Sequence, residues 1–308
     1  MSVQTPVPML RRIVKASLTN QLARYAPALY VRLTGQTGRG AEEESIDDVG
    51  DYFHDCVDDY FEKLGVGQAQ RAVFLSGKRM LEYGPGDLPG VAMLMIAHGA
   101  EQVVCVDRFP LVSLSSKNVQ IAKKMLQRLP LPLLQRAESC FKHAAHPEAG
   151  FDPRWIQYLI RPSGLSGLAN EIDLVISRAV LEHVNDLPAT FRDMYAALKP
   201  GGVAIHLVDL KSHGLHRNNP LDFLSWSPWL WALMYSAKGV PNRLRINTYR
   251  DAVARSGLEV ISLSPTVHAL PADIRAVRPS LAQPFRDLPD EDLSWLGFWL
   301  VCRKPLTQ

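Results

Sequence analysis

The segment RMLEYGPGDLPG, residues 79–90, contains residue types that can bind a nucleoside at close range. Gly84 and Gly86 flank Pro85 in a tight turn after an apolar stretch, and small residues there let the backbone approach a ligand. Asp107 follows this segment by seventeen residues and ends the stretch QVVCVD. An acid at that position can accept hydrogen bonds from a ribose diol, so the pattern predicts a nucleotide-binding crevice.

Two further carboxylates flank the glycine turn and disfavour a ligand that carries phosphate. Glu82 precedes the turn, and Asp87 follows it at the N-terminus of the next expected helix, where a dinucleotide would place its pyrophosphate. Because negative charge there repels a pyrophosphate, NAD and FAD are disfavoured. S-adenosylmethionine (SAM) carries a sulfonium, an ammonium and a ribose diol but no phosphate, so the acidic set predicts a SAM site.

Alternating apolar strands and helices surround these residues and predict a parallel sheet with helices on both faces. The run IDLVIS, residues 172–177, is continuously apolar, as expected for a central strand. It ends at the same sheet edge as Asp107, where open α/β sheets bind ligands, so Ser177, Arg178 and Leu181 should lie beside the cofactor. The expected strands are 79–84, 102–107, a third near 139–143, 172–177, 203–210, 258–263 and 296–304, and the expected helices are 88–98, 115–128, 187–198 and 249–256.

The motifs LEYGPGDLPG, VVCVD, IDLVISRAVLEHV and LKPGG resemble, in this order, those of the class I SAM-dependent methyltransferases. The resemblance covers residues 78–265, and its one departure is Leu88 at the third glycine of E-x-G-x-G-x-G. It implies a Rossmann-like, doubly wound α/β fold whose seven strands have the order 3-2-1-4-5-7-6, with the last strand antiparallel. The predicted cofactor-binding residues are Glu82, Gly84, Pro85, Gly86, Asp87, Asp107, Arg108, Ser177, Arg178 and Leu181.

Several side chains near the ends of the fourth and fifth strands are candidates for a general base. A hydroxyl acceptor must lose a proton during methyl transfer, a step worth about 10²–10⁴-fold in rate. His213 follows the fifth strand, and Asp209 is near enough to orient its ring, so this pair is the first candidate; the alternative for His213 is substrate binding or turn capping. His183, in LEHV, is the second candidate. His206 faces away from Asp209 on a regular strand, which favours a hydrogen-bonded core histidine.

Residues 211–246 form an aromatic-rich insert after the fifth strand. Aromatic faces suit sugar rings, so Trp226 and the polar Asn218, Arg243 and Arg245 are predicted to bind substrate. The segments HLVDLKSH, NNPLDFLSWSPWLW and NRLR resemble a bacterial subgroup of the class I enzymes that modifies sugars or cell-surface polysaccharides. The alternative for the aromatics is a helical hairpin packed on the sheet, or a dimer surface.

The first 70 residues are predicted to be a helical extension, and residues 71–308 the methyltransferase domain. Residues 1–40 contain six basic residues and no acid, with apolar residues at helical spacing. Such a basic amphipathic helix either rests on an anionic membrane surface or covers part of the domain. The segment TGQTGRG, residues 34–40, predicts a flexible break.

Residues 42–62 reverse the charge, with ten acids and no Lys or Arg, and predict a second helix. In the resembled class, an N-terminal helix often closes over the SAM pocket. Tyr52 or Tyr60 would then contact the cofactor as part of a lid. The alternative is a solvated acidic face whose aromatic residues pack in the core.

The composition excludes several other classes of protein. The net charge of +3 is too small to indicate a nucleic-acid partner, and no RNA-binding motif is appended. The four cysteines are scattered, which favours reduced thiols in a cytoplasm and disfavours a metal site or disulfides. No apolar run reaches the roughly 18 residues of a spanning helix.

The sequence thus predicts a SAM-dependent O-methyltransferase that acts on a sugar, a polysaccharide or a small-molecule hydroxyl, with no nucleic-acid partner and with a homodimer left open. Two alternatives remain, namely N- or C-methylation of a natural product and a non-catalytic SAM-binding protein. Loss of turnover in His213→Ala would favour O-methylation, because an amine can lose its proton after transfer.

Overall fold

A seven-stranded sheet with the order β3-β2-β1-β4-β5-β7-β6 forms the centre of the computed structural model, which describes residues 6–35 and 45–306. Most of the predicted break at 34–40 lies outside the described residues. The observed order confirms the predicted one. The strands are β1 (Arg79–Tyr83), β2 (Gln102–Asp107), β3 (Ile156–Ile160), β4 (Ile172–Arg178), β5 (Leu198–Asp209), β6 (Glu259–His268) and β7 (Trp295–Arg303).

Helices cover both faces of this sheet, and further helices precede its first strand in the chain. Among the described residues, none of them is long and apolar enough to cross a bilayer. They are α1 (Pro6–Tyr25), α2 (Pro27–Thr34), α3 (Ile46–Lys63), α4 (Arg71–Leu75), α5 (Gly90–Ala97), α6 (Ser116–Gln127), α7 (Leu131–Glu138), α8 (Leu187–Ala197), α9 (Pro228–Tyr235), α10 (Ile246–Ser256), α11 (Pro271–Val277) and α12 (Asp290–Ser294).

The strand directions bring three strand ends to one edge of the sheet. β1 pairs in parallel with β2 and with β4, so that Tyr83 lies between Val106 and Ser177. β7 runs antiparallel between β5 and β6, as predicted for the last strand. The carboxyl ends of β1, β2 and β4 therefore meet where an open α/β sheet binds its ligand.

The third strand was predicted in the wrong place. Residues 139–143 contribute only an isolated bridge between Phe141 and Phe151, because Ser139 ends α7 and the chain then turns. The actual strand, β3, pairs with β2 alone at the edge of the sheet, and its residues are only half buried. An edge strand has a weak apolar signature, which explains why the segment IQYLI was not recognised.

The buried face of α3 belongs to the core of the sheet. Tyr60 is 1% exposed and packs edge-on against Trp299 of β7, while Phe53 covers the N-terminus of α5. A Cβ atom on Gly90 would lie 2.5 Å from the Phe53 ring, so the two helices approach closely only because this residue is glycine. Three of the four aromatics of α3, Phe53, Tyr60 and Phe61, are thus core residues, as in the alternative for this segment, whereas Tyr52 is 38% exposed.

A second apolar cluster forms from the insert and the C-terminal helices. Phe223, Trp231 and Tyr235 are buried in it together with side chains of α11, whereas Trp229 is 69% exposed. The buried aromatics of the insert thus fill a core of their own beside the sheet. This observation favours the packed-hairpin alternative for most of them.

Candidate functional site

A cavity of about 470 Å³ opens at the carboxyl ends of the central strands. Its volume is in the range of small-molecule sites. Its walls come from the ends of β1, β2 and β4, from the loop after β5, from the loop after α9 and from the end of α2. The lining residues include Thr34, Gly35, Tyr83, Gly84, Gly86, Asp107, Arg108, Phe109, Arg178, Val180, His183, His213, Leu215, Lys238 and Gly239.

The glycine turn forms the floor of this cavity. Gly84 and Gly86 have φ angles of 65° and 73°, a left-handed conformation that favours glycine. A Cβ atom on Gly84 would lie 2.5 Å from a methyl group of Val180, which itself lines the cavity. The Gly84 N–H donates to the carbonyl of Val106 on β2, at 2.8 Å, and this bond holds the turn to the sheet. Pro85 is not among the lining residues.

Asp107 lines the cavity at the end of β2, which is the position expected from the sequence. Its side chain is largely buried, and its Oδ1 accepts a hydrogen bond from the Phe109 N–H at 3.1 Å. Burial raises its pKa to about 6, opposed by backbone N–H groups and by Arg108. Arg108 also lines the cavity, and its guanidinium donates to the carbonyl of His183 and to Asn185. The carboxyl group of Asp107 is therefore mostly ionised at neutral pH and can accept hydrogen bonds from hydroxyl groups.

The other two predicted acids are not among the residues that line the cavity. Glu82 is buried beside Cys105 on the neighbouring strand, and burial raises its pKa to about 7. Asp87 accepts a 3.0 Å hydrogen bond from the Asn118 side chain on α6. Strand alternation and the start of α5 therefore direct both side chains away from the cavity, toward β2 and α6.

The end of β4 contributes one of its three predicted residues to the cavity. Arg178 lines it, and its guanidinium forms a 2.7 Å ion pair with Asp59 of α3. Ser177 is buried and shares a 2.7 Å hydrogen bond with Nδ1 of His206, which is itself fully buried. Leu181 is completely buried in the core cluster. Ala179 and Val180 line the cavity in their place.

Two of the predicted catalytic side chains meet at the wall of the cavity. The rings of His183 and His213 have centroids 5.0 Å apart in an edge-on arrangement, and both line the cavity. His213 Nε2 lies 3.7 Å from Oδ2 of Asp209, too far for a hydrogen bond but close enough for electrostatic attraction. His213 also has a φ of 49°, an unusual value for a non-glycine residue, and such strain often accompanies functional sites.

The surroundings keep both imidazoles neutral near neutral pH. Burial lowers the pKa of His183 to about 3, with the charge of His213 adding to the effect. Burial also lowers the pKa of His213, whereas Asp209 raises it and Lys211 lowers it further. Both rings are therefore in the neutral form, which can accept a proton.

A third group completes this cluster and was missed by the sequence analysis. Glu182 is 1% exposed, and among the described residues neither of its carboxylate oxygens has a hydrogen-bond partner. Its Oε1 lies 3.8 Å from His183 Nε2. One ligand atom from each of Glu182, His183 and His213 lies within 4.8 Å of the others, so the three could bind one cation. No metal was predicted from the sequence, in which Glu182 and His183 are adjacent but His213 follows thirty residues later.

The structure does not bring the predicted substrate-binding residues to the cavity. Arg245 is 1% exposed and donates to the backbone carbonyls of Leu210, Leu293 and Trp295. Arg243 is also buried and donates to the carbonyl of Trp226 at 2.6 Å. Asn218 is exposed, and its N–H bonds to Asp222 within the insert. The two guanidinium groups are thus used in backbone contacts, and none of the four predicted residues lines the cavity.

Lys238 is the cavity residue that sequence reasoning missed most clearly. It is 7% exposed, and its Nζ lies 5.0 Å from the centre of the Tyr235 ring. Burial and the charge of Lys15 lower its pKa to about 8, so it is largely cationic at neutral pH. It follows a helix of the insert, in a segment that matches no sequence motif. A buried cation at a cavity wall is suited to an anionic group such as a carboxylate.

A family model described as a methyltransferase domain matches residues 60–263 of this chain. The match spans well over half of the 308 residues, so the chain belongs to this family of methyltransferase domains. With the sheet order described above, it is a class I SAM-dependent methyltransferase, and SAM is its cofactor.

Solved structures that match this chain come from several organisms. A SAM-dependent methyltransferase from Mesorhizobium loti is 21% identical over 75% of this chain and 92% of its own, with a TM-score of 0.41. Phosphoethanolamine N-methyltransferase 2 from Haemonchus contortus, in complex with SAM, is 18% identical over 78% of this chain and 53% of its own, with a TM-score of 0.42. A SAM-dependent methyltransferase from Methanosarcina mazei is 13% identical over 75% and 94%, with a TM-score of 0.41.

Proposed function

We propose that the protein transfers the methyl group of SAM to a hydroxyl group of a small-molecule acceptor. The observation that carries the proposal is the position of His213, a neutral imidazole that lines the same cavity as the glycine turn and Asp107. Asp209, 3.7 Å from its Nε2, favours the tautomer protonated on that nitrogen and leaves Nδ1 free to accept a proton.

In the proposed mechanism, bound SAM supplies an electrophilic methyl group on a sulfonium. The turn at Gly84 and Gly86 would hold the nucleoside close to the backbone, and Asp107 would accept hydrogen bonds from the ribose hydroxyls. Alignment of the two reactants is worth roughly 7–11 kcal/mol. The carbon–sulfur bond of SAM would break as the acceptor oxygen bonds to the methyl carbon, which leaves S-adenosylhomocysteine as a neutral thioether. His213 would accept the proton of the acceptor hydroxyl, and Asp209 would stabilise the resulting imidazolium.

The cofactor site can be tested by calorimetry with SAM on the wild type and on Asp107→Asn. The amide keeps the shape of the side chain but loses a negatively charged acceptor, so we expect affinity for SAM to fall about tenfold or more. Asp87→Asn is the matched control, because Asp87 does not line the cavity. Equal affinities of Asp107→Asn and wild type would contradict the proposed ribose contact.

The acceptor can be sought by mass spectrometry of hydroxyl compounds incubated with SAM and enzyme. A gain of one methyl group on a hydroxyl, lost in His213→Ala, is the expected result. A saccharide acceptor has less support than a smaller hydroxyl compound, because Phe223, Trp231 and Tyr235 are packed in a core. Full turnover of an amine or carbon acceptor by His213→Ala would instead support N- or C-methylation.

A metal-assisted transfer is the second candidate, and the unpartnered carboxylate of Glu182 favours it. A divalent cation bound by Glu182, His183 and His213 would lower the pKa of the acceptor hydroxyl directly. Activity that is lost on chelation and restored by Mg²⁺ or Mn²⁺ would support this candidate. Unchanged activity in a chelator would leave His213 as the base.

We also propose a domain division, a cellular location and an oligomeric state for the chain. We propose that residues 1–70 form an extension and residues 71–308 the catalytic domain with its insert at 211–246, although α3 also contributes to the core. A cytoplasmic location is supported by cysteines that are all free and buried. A homodimer through the exposed Trp229 can be tested by solution mass.

A further inference from the structure

The two N-terminal helices expose apolar side chains at helical spacing. On α1, Leu10, Val14 and Leu18 follow each other at intervals of four residues and are 63%, 49% and 66% exposed. On α2, Leu29 and Leu33 have the same spacing and are 46% and 67% exposed. These five residues, the N-terminal apolar rows, each lie on one side of their helix.

Other residues of the same helices anchor them to the protein. Asn20 donates to the carbonyl of Leu233 at 2.9 Å and accepts from the N–H of Ala237 at 2.8 Å. Tyr30 is buried and packs against Phe109, with ring centroids 6.0 Å apart. Because these inner contacts orient both helices, the exposure of the apolar rows is a property of the folded protein.

Basic side chains border the N-terminal apolar rows. Residues 1–40 contain six basic residues and no acidic one. Arg11 and Lys15 are exposed one residue after Leu10 and Val14, and Arg32 is exposed beside Leu33. Apolar residues bordered by positive charge suit the boundary between the headgroups and acyl chains of an anionic bilayer.

The same helices also form part of the cavity wall. Thr34 at the end of α2 and the following Gly35 line the cavity, as does Phe109, on which Tyr30 packs. Lys15 on α1 is close enough to the cavity residue Lys238 that its charge lowers the pKa of that residue. A surface that binds these helices would therefore adjoin the entrance to the cavity.

We propose that the N-terminal apolar rows insert into an anionic membrane surface and that the acceptor is an amphiphilic hydroxyl compound taken from that membrane. The acceptor part of this inference rests on the proposed O-methyl transfer, whereas the membrane contact does not. A second copy of the chain is the less suitable occupant, because pairing two such faces would bring the basic borders of both copies together.

The test is sedimentation of the full chain with phosphatidylcholine vesicles, with and without phosphatidylglycerol, in the absence of SAM and acceptor. We expect binding only to the anionic vesicles and weakening with salt. The variant Leu18→Glu/Leu33→Glu should lose about tenfold or more in partitioning, because it removes two exposed apolar side chains of the rows and adds negative charge. Val73→Glu is the control, since Val73 is 82% exposed on α4, outside the rows.

Three results would overturn the membrane contact. They are equal binding to neutral and anionic vesicles, equal loss in Leu18→Glu/Leu33→Glu and Val73→Glu, and a solution dimer that Leu18→Glu/Leu33→Glu converts to monomer without any vesicle binding. SAM calorimetry on each variant verifies that the fold and the cofactor site are intact. His213→Ala should bind vesicles like the wild type, so failure of the proposed chemistry and failure of the membrane contact give different results.

The acceptor part is tested with a long-chain alcohol carried in the anionic vesicles. We expect SAM-dependent methylation of this probe by the wild type and at least about tenfold less by Leu18→Glu/Leu33→Glu at equal SAM occupancy. Equal rates for the two proteins, or no methylation of the probe by a wild type that binds the vesicles, would overturn the inference about the acceptor.

Discussion

The surroundings of His213 determine the protonation state of its ring. Burial disfavours the charged imidazolium, while Asp209 partly restores it and Lys211 opposes it. His183 is the other titratable ring in contact with it, and that ring stays neutral over the same range. The proton-accepting form of His213 is therefore present at neutral pH.

The pH dependence of turnover follows from this lowered pKa. With acceptor varied and SAM saturating, we expect kcat/KM to fall on the acid side with a midpoint below pH 6.5, where His213 becomes protonated. Saturating SAM suppresses the separate effect of Asp107, whose pKa is about 6. In His213→Ala this acid-side fall of kcat/KM should disappear, and the rate should fall about 10²–10⁴-fold. If the acid-side fall were unchanged in that variant, it would be caused by the titration of another group.

Glu82 provides a test of stability at the residue scale. Its pKa is raised from 4.5 to about 7 by burial, so the folded state prefers the protonated acid. Its contribution to stability is therefore present below pH 4.5 and is lost as pH rises through 7. We expect the free energy of unfolding of Glu82→Gln, relative to that of the wild type, to rise by about 1–3 kcal/mol between pH 4.5 and pH 8.

Chemical denaturation at several pH values measures this difference. A constant difference between Glu82→Gln and the wild type across the range would contradict the raised pKa. Calorimetry on the same variant separates the two roles considered for Glu82. We expect unchanged affinity for SAM, because the carboxyl group does not line the cavity.

At the scale of elements, the contact between α3 and α5 depends on a missing side chain. A Cβ atom on Gly90 would lie 2.5 Å from the Phe53 ring, and Phe53 is 3% exposed in the core. We expect Gly90→Ala to lower the free energy of unfolding by about 1–3 kcal/mol through overpacking, despite the better helix propensity of alanine.

Gly50→Ala is the matched control for this prediction. Gly50 is also buried in a helix, but its added Cβ would lie 3.8 Å from Met125, an ordinary contact distance. We expect this variant to be neutral or slightly more stable. The effects of Gly90→Ala and Phe53→Ala should be less than additive, because removing the ring removes the clash. Full additivity would place the cost of Gly90→Ala elsewhere.

At the scale of the whole molecule, Arg245 joins parts of the chain that are far apart in sequence. Its buried guanidinium donates to the carbonyls of Leu210, Leu293 and Trp295, which follow β5, belong to α12 and begin β7. We expect Arg245→Leu to destabilise the protein severely, by about 1–3 kcal/mol for each carbonyl left without a partner.

Arg217→Leu provides the comparison, because Arg217 is an exposed residue of the same insert. Its effect should stay within about 0.5 kcal/mol. Thermal or chemical unfolding of both variants measures the difference. If Arg245→Leu were as stable as the wild type but had a raised KM for the acceptor, the role in substrate binding predicted from the sequence would be restored.

The sequence by itself determined the sheet, the cofactor class and the position of Asp107. The cofactor class and Asp107 depend on local order, because a strand, a glycine turn, a helix and a second strand follow one another within thirty residues. The order of the seven strands was implied by the resemblance to the class I SAM-dependent methyltransferases. The edge strand β3 escaped detection, since its half-buried residues carry a weaker pattern than the central strands.

Only the tertiary structure decided which of the recognised side chains reach the cavity. Glu82 and Asp87 do not line the cavity and Arg245 bonds to backbone carbonyls, whereas Lys238 lines the cavity without any motif and Glu182 lies beside the two histidines of its wall. The physical reason is that burial and the direction of a side chain depend on contacts between distant segments. Spacing along the chain specifies the backbone elements but not the neighbours that those contacts provide.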